Sequence, residues 1–278
     1  MDAALNQVWF PANFQELFTI WKQYPDALPF AGGTQFLRGQ ARHVPVFPRN
    51  VLSLSRLEEL HRITRTERHL EIGAMVKLNE LINLGKVVPE VLTRCLVGIA
   101  GPKIRNLATI GGNICTPSGR LDAAAPMIAL DAHYEVRRAT AARWIASSRF
   151  YSPEGALSLG EQELLTRIRI PLEEWTYSAY TKYASPGTRV GSEVMVLILR
   201  NQKNLLTNIR MVFVGDRIIH DKNSEALLMG KRLPLERKQV GMVVDYWRTR
   251  LHSIYQKPDL LQDRLLNFIE SSLLPLAN

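Results

Sequence analysis

Cysteine is nearly absent: Cys95 and Cys115 are the only two in 278 residues. Two thiols exclude a disulfide framework and fit a reducing, cytoplasmic setting. They are also too few to hold an iron–sulfur cluster. Long apolar runs are missing too. The longest, Val194 to Leu199, is far short of the roughly 20 residues needed to cross a bilayer, so no membrane insertion is expected. Residues 1–30 lack a basic head followed by an apolar block, so no signal peptide is expected. The standard catalytic patterns do not occur: no His-Glu-x-x-His, no Gly-x-Ser-x-Gly, no Walker loop, no Gly-x-Gly-x-x-Gly. The histidines, at 43, 61, 69, 133, 220 and 252, stand far apart and read as surface or satisfied core residues. No metal site and no catalytic side chain is expected on this chain, and a classical nicotinamide fold has no support.

What remains is an ordinary globular composition, 46% hydrophobic and 22% charged, on a chain long enough to bury a sizeable core. The formal charge is +9, but Lys and Arg are scattered. The densest group, Arg137 and Arg138 with Arg143 and Arg149, has no aromatic interleaving and gives no nucleic-acid signature. It reads as a solvated face, with an acidic protein partner or an anionic cofactor as the other source of such a balance.

Phe14, Leu17, Phe18 and Trp21 fall at helical spacing behind a capped start at Asn13 and Glu16. Leu28-Pro29-Phe30-Ala31 reads as a short buried strand running into Gly32-Gly33-Thr34. A strand is expected at Asn50 to Leu54 and a hairpin-like pair near Ile63 and Ile72. Leu92, Cys95, Leu96 and Ile99 predict a helix ending at Gly101-Pro102. Residues 106–115 read as a second strand leading to a Gly-Gly pair, and Ala123 to Leu130 as a helix. Strands follow at Leu164 to Ile170, stopped by Pro171, at Trp175 to Thr181, at Val194–Leu199 and at Ile209–Val214. Ser224–Met229 and the stretches 235–254 and 259–274 read as helices. The order gives an α+β class, with the best boundary near Pro171 and a softer one near residue 55.

Two similar segments carry the chemistry: Phe30-Ala31-Gly32-Gly33-Thr34-Gln35-Phe36 and Ala108-Thr109-Ile110-Gly111-Gly112-Asn113-Ile114. Each sets two glycines after a short apolar stretch, with a small polar residue behind them. Without a Cβ, a ligand can approach consecutive backbone N–H groups, and such amides form a concavity that suits phosphate oxygens. Thr34, Thr109 and Asn113 could add side-chain donors. The two segments could grip the two phosphates of a dinucleotide; alternatively each is only a turn.

The string from Ile99 to Cys115 resembles the FAD pyrophosphate segment of molybdenum hydroxylase flavoprotein subunits, the xanthine dehydrogenase and carbon monoxide dehydrogenase family. Ala31-Gly32-Gly33-Thr34 resembles their first FAD loop. Leu121-Asp122-Ala123-Ala124-Ala125-Pro126 with Leu130-Asp131-Ala132, Glu163 to Pro171, Tyr180-Thr181-Lys182-Tyr183 and Glu225 to Lys231 are similar to later family segments, in the same order. The resemblance implies a two-part FAD-binding domain of the vanillyl-alcohol-oxidase type over 1–172, divided into 1–55 and 56–172. A small α+β C-terminal domain over 173–278 would follow, like that of carbon monoxide dehydrogenase flavoproteins.

By the same resemblance, FAD is held non-covalently by Pro29, Phe30, Ala31, Gly32, Gly33, Thr34, Gln35, Phe36, Thr109, Ile110, Gly111, Gly112 and Asn113. Asp122 makes a polar contact, Ile99 lies against the isoalloxazine ring, and Leu165 and Lys182 border the flavin. As plain residues, Asp122 is also a helix-start acid, Ile99 a core residue, Lys182 a surface lysine and Cys115 a packing residue. The family places the 2Fe–2S clusters on a small partner subunit and the molybdenum cofactor on a large one, with a dimer of heterotrimers as the higher assembly. Electrons would pass through FAD to NAD or another acceptor. Gln35 stands where many relatives carry an acid, and Ser185 to Val194 lacks a common Asp-Ile pair, which bears on the acceptor. A self-sufficient flavoenzyme on the same fold, such as a UDP-sugar reductase, and a basic binding protein that has lost flavin remain the rival readings.

Overall fold

The computed structural model describes residues 7–39, 46–116, 122–184, 192–255 and 260–277. Among them, three sheets and the helices between them give the α+β architecture that the sequence predicts.

The first sheet is small and parallel, with β1 (Gln7–Trp9), β2 (Leu28–Phe30) and β3 (Asn50–Ser53) in the order β1-β3-β2. The helix Phe14–Gln23 covers it. Asn13 caps that helix, its Oδ1 accepting from the Glu16 amide at 2.9 Å, while Glu16 Oε2 accepts from the Ala12 amide at 2.8 Å. Phe14, Leu17, Phe18 and Trp21 are all buried, as the periodicity requires. The strand at 28–30 is not buried as expected: Leu28 is exposed because β2 forms the sheet's edge and only β3 is enclosed.

The second sheet is antiparallel, in the order β4 (Ile63–Arg65), β5 (His69–Gly73), β8 (Leu164–Pro171), β6 (His133–Arg138), β7 (Ala141–Ala146). Ile63 pairs with Ile72, and Ile72 with Ile168. The β6–β7 hairpin carries Arg137, Arg138 and Arg143 of the basic group, and Arg149 follows in the helix Ser147–Phe150. Arg138, Arg143 and Arg149 are exposed, as a solvated face requires, and Arg143 pairs with Glu163 at 2.7 Å; only Arg137 turns partly inward, 4.2 Å over the Phe14 ring. Between β5 and β6 the chain inserts a run of short helices, Leu78–Asn83, Glu90–Val97, Pro102–Arg105, Ile110–Ile114 and Ala124–Ala129. This insertion holds the second Gly-Gly pair.

Two expectations fail there. The helix from residue 90 stops at Val97: the Gly98 amide still bonds the Arg94 and Cys95 carbonyls, but the last turn tightens, with the Ile99 amide on the Leu96 carbonyl, and Ala100 takes a left-handed φ of 49° that no helix can continue through. The segment before Gly111 is not a strand; only a single bridge ties Thr109 to Lys77, and the glycines lie in a helical turn.

The third sheet, β9 (Tyr177–Ala184), β10 (Ser192–Gln202), β11 (Leu205–Val214) and β12 (Ile218–His220), is antiparallel in the order β12-β11-β10-β9. Both of its faces are covered, which is why Val194–Leu199 is continuously apolar rather than alternating. Val194, Val196, Ile198, Val212 and Val214 join the core that contains Ala124–Ala129. Met195, Leu197, Met211 and Phe213 join a second core with Trp247 and Phe268 of the helices Arg237–Ile254 and Leu260–Leu273. The helix expected at 224–229 spans Lys222–Ala226. No helix among the described residues is long and apolar enough to cross a membrane.

Candidate functional site

Leaving β2, the chain passes through Ala31, Gly32 and Gly33 into the helix Thr34–Gly39. Gly33 has φ +67°, and a Cβ there would lie 2.5 Å from the Phe30 ring. A Cβ on Gly32 would lie 2.0 Å from the Leu107 carbonyl oxygen. The first Gly-Gly pair therefore touches the chain just ahead of the second, through backbone alone. The Leu37 amide bonds the Gly33 carbonyl at 3.0 Å. Among the described residues, the amides of Gly32, Gly33, Thr34, Gln35 and Phe36 donate to no acceptor. Consecutive unpaired amides at a turn make an electropositive surface suited to an anion. Phe30, Phe36 and Phe47 cluster beside it, with ring centroids 5.1 to 6.3 Å apart. An apolar hollow of about 400 Å³ opens there, lined by Val8, Phe10, Phe30, Phe47, Val51 and Ser53.

The second pair is built differently. Thr109 caps the helix Ile110–Ile114, its Oγ1 accepting from the Gly112 amide at 3.0 Å. The Ile110 and Gly111 amides bond the carbonyls of Val76 and Ala74, and the Asn113 amide bonds the Thr109 carbonyl. All four amides are thus committed within the chain, and the expectation that this segment offers a row of free backbone donors is corrected. Gly111 is a glycine because the Ala74 backbone presses on it: a Cβ would meet the Ala74 carbonyl oxygen at 2.7 Å. What this segment keeps to offer is side chains. The Thr109 hydroxyl retains its hydrogen but is buried, with only 2% of the residue exposed. Asn113 uses its Oδ1 to accept from the Ala123 amide at 3.3 Å, leaving its NH₂ group as a donor.

Asp122 and Lys182, distant in sequence, meet in a buried cluster. Lys182 Nζ donates to Asp122 Oδ2 at 2.9 Å and to the Gly98 carbonyl at 3.0 Å. Ser192 Oγ donates to Asp122 Oδ1 at 2.5 Å, and Cys95 Sγ to the Asp122 carbonyl at 3.2 Å. Burial pushes the Cys95 thiol up to about 12, with the Asp122 charge adding to the effect. Asp122 is therefore more than a helix-start acid, and Lys182 is not an ordinary surface lysine.

Ile99 is buried in the turn after Gly98. That turn is held by Arg105, whose Nη1 donates to the carbonyls of Val97 at 2.9 Å, Ile99 at 3.2 Å and Ala100 at 2.5 Å. Thus Lys182 and Arg105 hold the same turn, Lys182 at the Gly98 carbonyl and Arg105 at the carbonyls on either side of it. Ile110 and Leu165 are enclosed in the core and present almost no surface, whereas Gln35 is exposed. Pro29 lies within β2, paired with Leu52. Arg189, Val190 and Gly191, from the stretch that departs from the family pattern, and Leu121 lie outside the described residues. Sequence reasoning missed Ser192 and Arg105. Ser192 reaches Asp122 across 70 positions, a pairing with no local signal, and Arg105 reads as one more scattered arginine.

The family described as the FAD binding domain in molybdopterin dehydrogenase matches residues 4–173. The xanthine dehydrogenase FAD-binding subunit of Escherichia coli O157:H7 is 32% identical over 178 residues, 62% of this chain and 61% of the relative. The match thus spans under two thirds of that relative's length. The nicotinate dehydrogenase FAD-subunit of Eubacterium barkeri is 26% identical over 265 residues, 89% of each chain. Among solved structures, a carbon monoxide dehydrogenase from Hydrogenophaga pseudoflava superposes with a TM-score of 0.81 over 98% of this chain and 97% of that one, at 22% identity. At that identity the likeness speaks to the fold.

Proposed function

This chain belongs to the family of FAD-binding domains of molybdopterin dehydrogenases, and on that footing we propose that it is the FAD-binding electron-transfer subunit of a molybdenum hydroxylase complex. In this reading residues 1–172 form the FAD-binding domain, divided near residue 55, and 173–278 a C-terminal domain. The observation that carries it is the run of unpaired amides from Gly32 to Phe36, set against the backbone that leads into the second Gly-Gly helix. These residues fit a diphosphate: the amides supply donors on one side and the half-buried Asn113 NH₂ on the other, while the buried Thr109 caps the helix that carries Asn113. The neighbouring hollow is apolar and aromatic, which suits a flat ring. The cluster of Asp122, Lys182 and Ser192, with Arg105, holds the Ile99 turn as a rigid wall for the flavin end. Neither glycine pair contains the His or Cys that would be needed for covalent attachment, so FAD is held non-covalently.

When bound, FAD would supply the redox chemistry between 2Fe–2S clusters of a partner subunit and NAD or another acceptor. The residues of this chain bind and orient the cofactor; none is assigned as a general acid or base. The substrate would be oxidised at the molybdenum cofactor of a large partner subunit. A tagged chain isolated from its native host tests this assignment. Co-isolation of an iron–sulfur chain and a large molybdenum-containing chain is expected. A monomer that by itself oxidises a purine or aldehyde would overturn it in favour of a self-sufficient flavoenzyme.

A further inference from the structure

A lysine that no part of the FAD reading uses sits where the two glycine pairs meet. Lys77 precedes the helix Leu78–Asn83, and its backbone bridges to Thr109, the cap of the second Gly-Gly helix. Its Nζ donates to the Leu107 carbonyl at 3.3 Å. That same carbonyl is the one pressed against Gly32. The ammonium therefore stands at the junction between the unpaired amides of residues 32–36 and the side-chain donor of Asn113. Among the described residues no carboxylate forms an ion pair with it. Glu80 is the acid that acts on it, from beyond ion-pairing distance. Partial burial holds the Lys77 ammonium below its usual range, the condition of a cation removed from water without a counter-charge.

We propose that Lys77 is an FAD contact in its own right, a cation that neutralises the cofactor's diphosphate where the two glycine pairs converge. The inference rests on the reading of this chain as FAD-binding. A lysine binds phosphate as a point charge with freely rotating donors, so the contribution is largely charge and is screened by salt.

The test measures FAD affinity of the purified, flavin-stripped chain by fluorescence titration, for the wild type, Lys77→Met, Lys77→Arg and the exposed control Lys86→Met. The expected result is about a tenfold weaker affinity for Lys77→Met, equivalent to about 1.4 kcal/mol, with a shallower dependence on KCl. Lys77→Arg and Lys86→Met should stay close to wild type. Acetic anhydride labelling read by mass spectrometry gives a second measurement on the unmutated chain: FAD should protect Lys77 several-fold. A Lys77→Met protein with wild-type affinity and salt dependence, or labelling of Lys77 indifferent to FAD, overturns this assignment and leaves the FAD reading standing. A wild-type chain that binds no FAD at any salt concentration overturns both.

Discussion

The Leu107 carbonyl oxygen and Gly32 are in backbone contact: an added Cβ on Gly32 would lie 2.0 Å from that oxygen. The contact joins two segments 75 positions apart and fixes how the first glycine pair faces the second. Because the obstruction is backbone on both sides, a side chain at position 32 cannot be accommodated by a rotamer change.

Gly32→Ala should therefore part the two segments. The expected result is a loss of about 1–3 kcal/mol of stability, the usual scale for overpacking, together with at least tenfold weaker FAD binding. Urea denaturation and flavin titration of the same variant check it. Wild-type values in both would show that the contact does not set the site.

Gly111 and Gly112 should differ in kind. At Gly111 a Cβ would meet Ala74 backbone at 2.7 Å, whereas at Gly112 it would meet only Thr109 Oγ1, at 2.8 Å. Gly111→Ala should cost more stability than Gly112→Ala, and Thr109→Val, which removes the cap, about 1 kcal/mol. Denaturation midpoints of the three variants give the order; a Gly112→Ala protein less stable than Gly111→Ala would contradict it.

Parts of this arrangement are legible in the sequence and parts are not, for physical reasons. The helix Phe14–Gln23 and the Ile63–Ile72 pairing are written in local periodicity and capping, which a single segment contains. Both glycine pairs stand out because Gly-Gly is locally unusual. Their purpose is hidden, since Gly32 answers to Leu107 and Gly111 to Ala74, neither of which is a near neighbour in the chain. The same holds for Ser192 with Asp122. The β6–β7 hairpin escapes notice because its outer strand, Ala141–Ala146, is mostly exposed and lacks alternation. The early end of the helix at Val97 depends on Arg105 gathering the carbonyls of the turn, which periodicity at Ile99 cannot reveal.

Asp122→Ala should leave Lys182 without its carboxylate in a largely buried setting and deprive Ser192 of its acceptor. A destabilisation on the order of 2 kcal/mol is expected from such a lost, partly screened pair, with FAD affinity falling as the Gly98–Ile99 turn loosens. Ser192→Ala should weaken both less. If melting temperature drops while FAD affinity of Asp122→Ala is unchanged, the cluster is structural only.

Stability should decline in alkali. Burial raises the Cys95 thiol from 9.0 to about 12 and the Tyr134 hydroxyl above its ordinary value. A group whose pKa is raised on folding stabilises fully below its unfolded pKa and loses that contribution as pH climbs through the folded one. Melting temperature should therefore fall progressively above about pH 9, and Cys95→Ser should flatten part of that fall. Consistent with burial, the Cys95 thiol should resist disulfide-exchange reagents at pH 8 until urea is added. Prompt reaction in the native protein would contradict its placement.

The central claim, that this chain holds FAD non-covalently, is tested most directly by the flavin content of the purified protein. The account predicts a yellow protein carrying one flavin per chain, released intact into the supernatant on acid precipitation and identified there as FAD. A colourless chain that takes up no FAD on titration, or flavin that stays with the acid pellet, would contradict it.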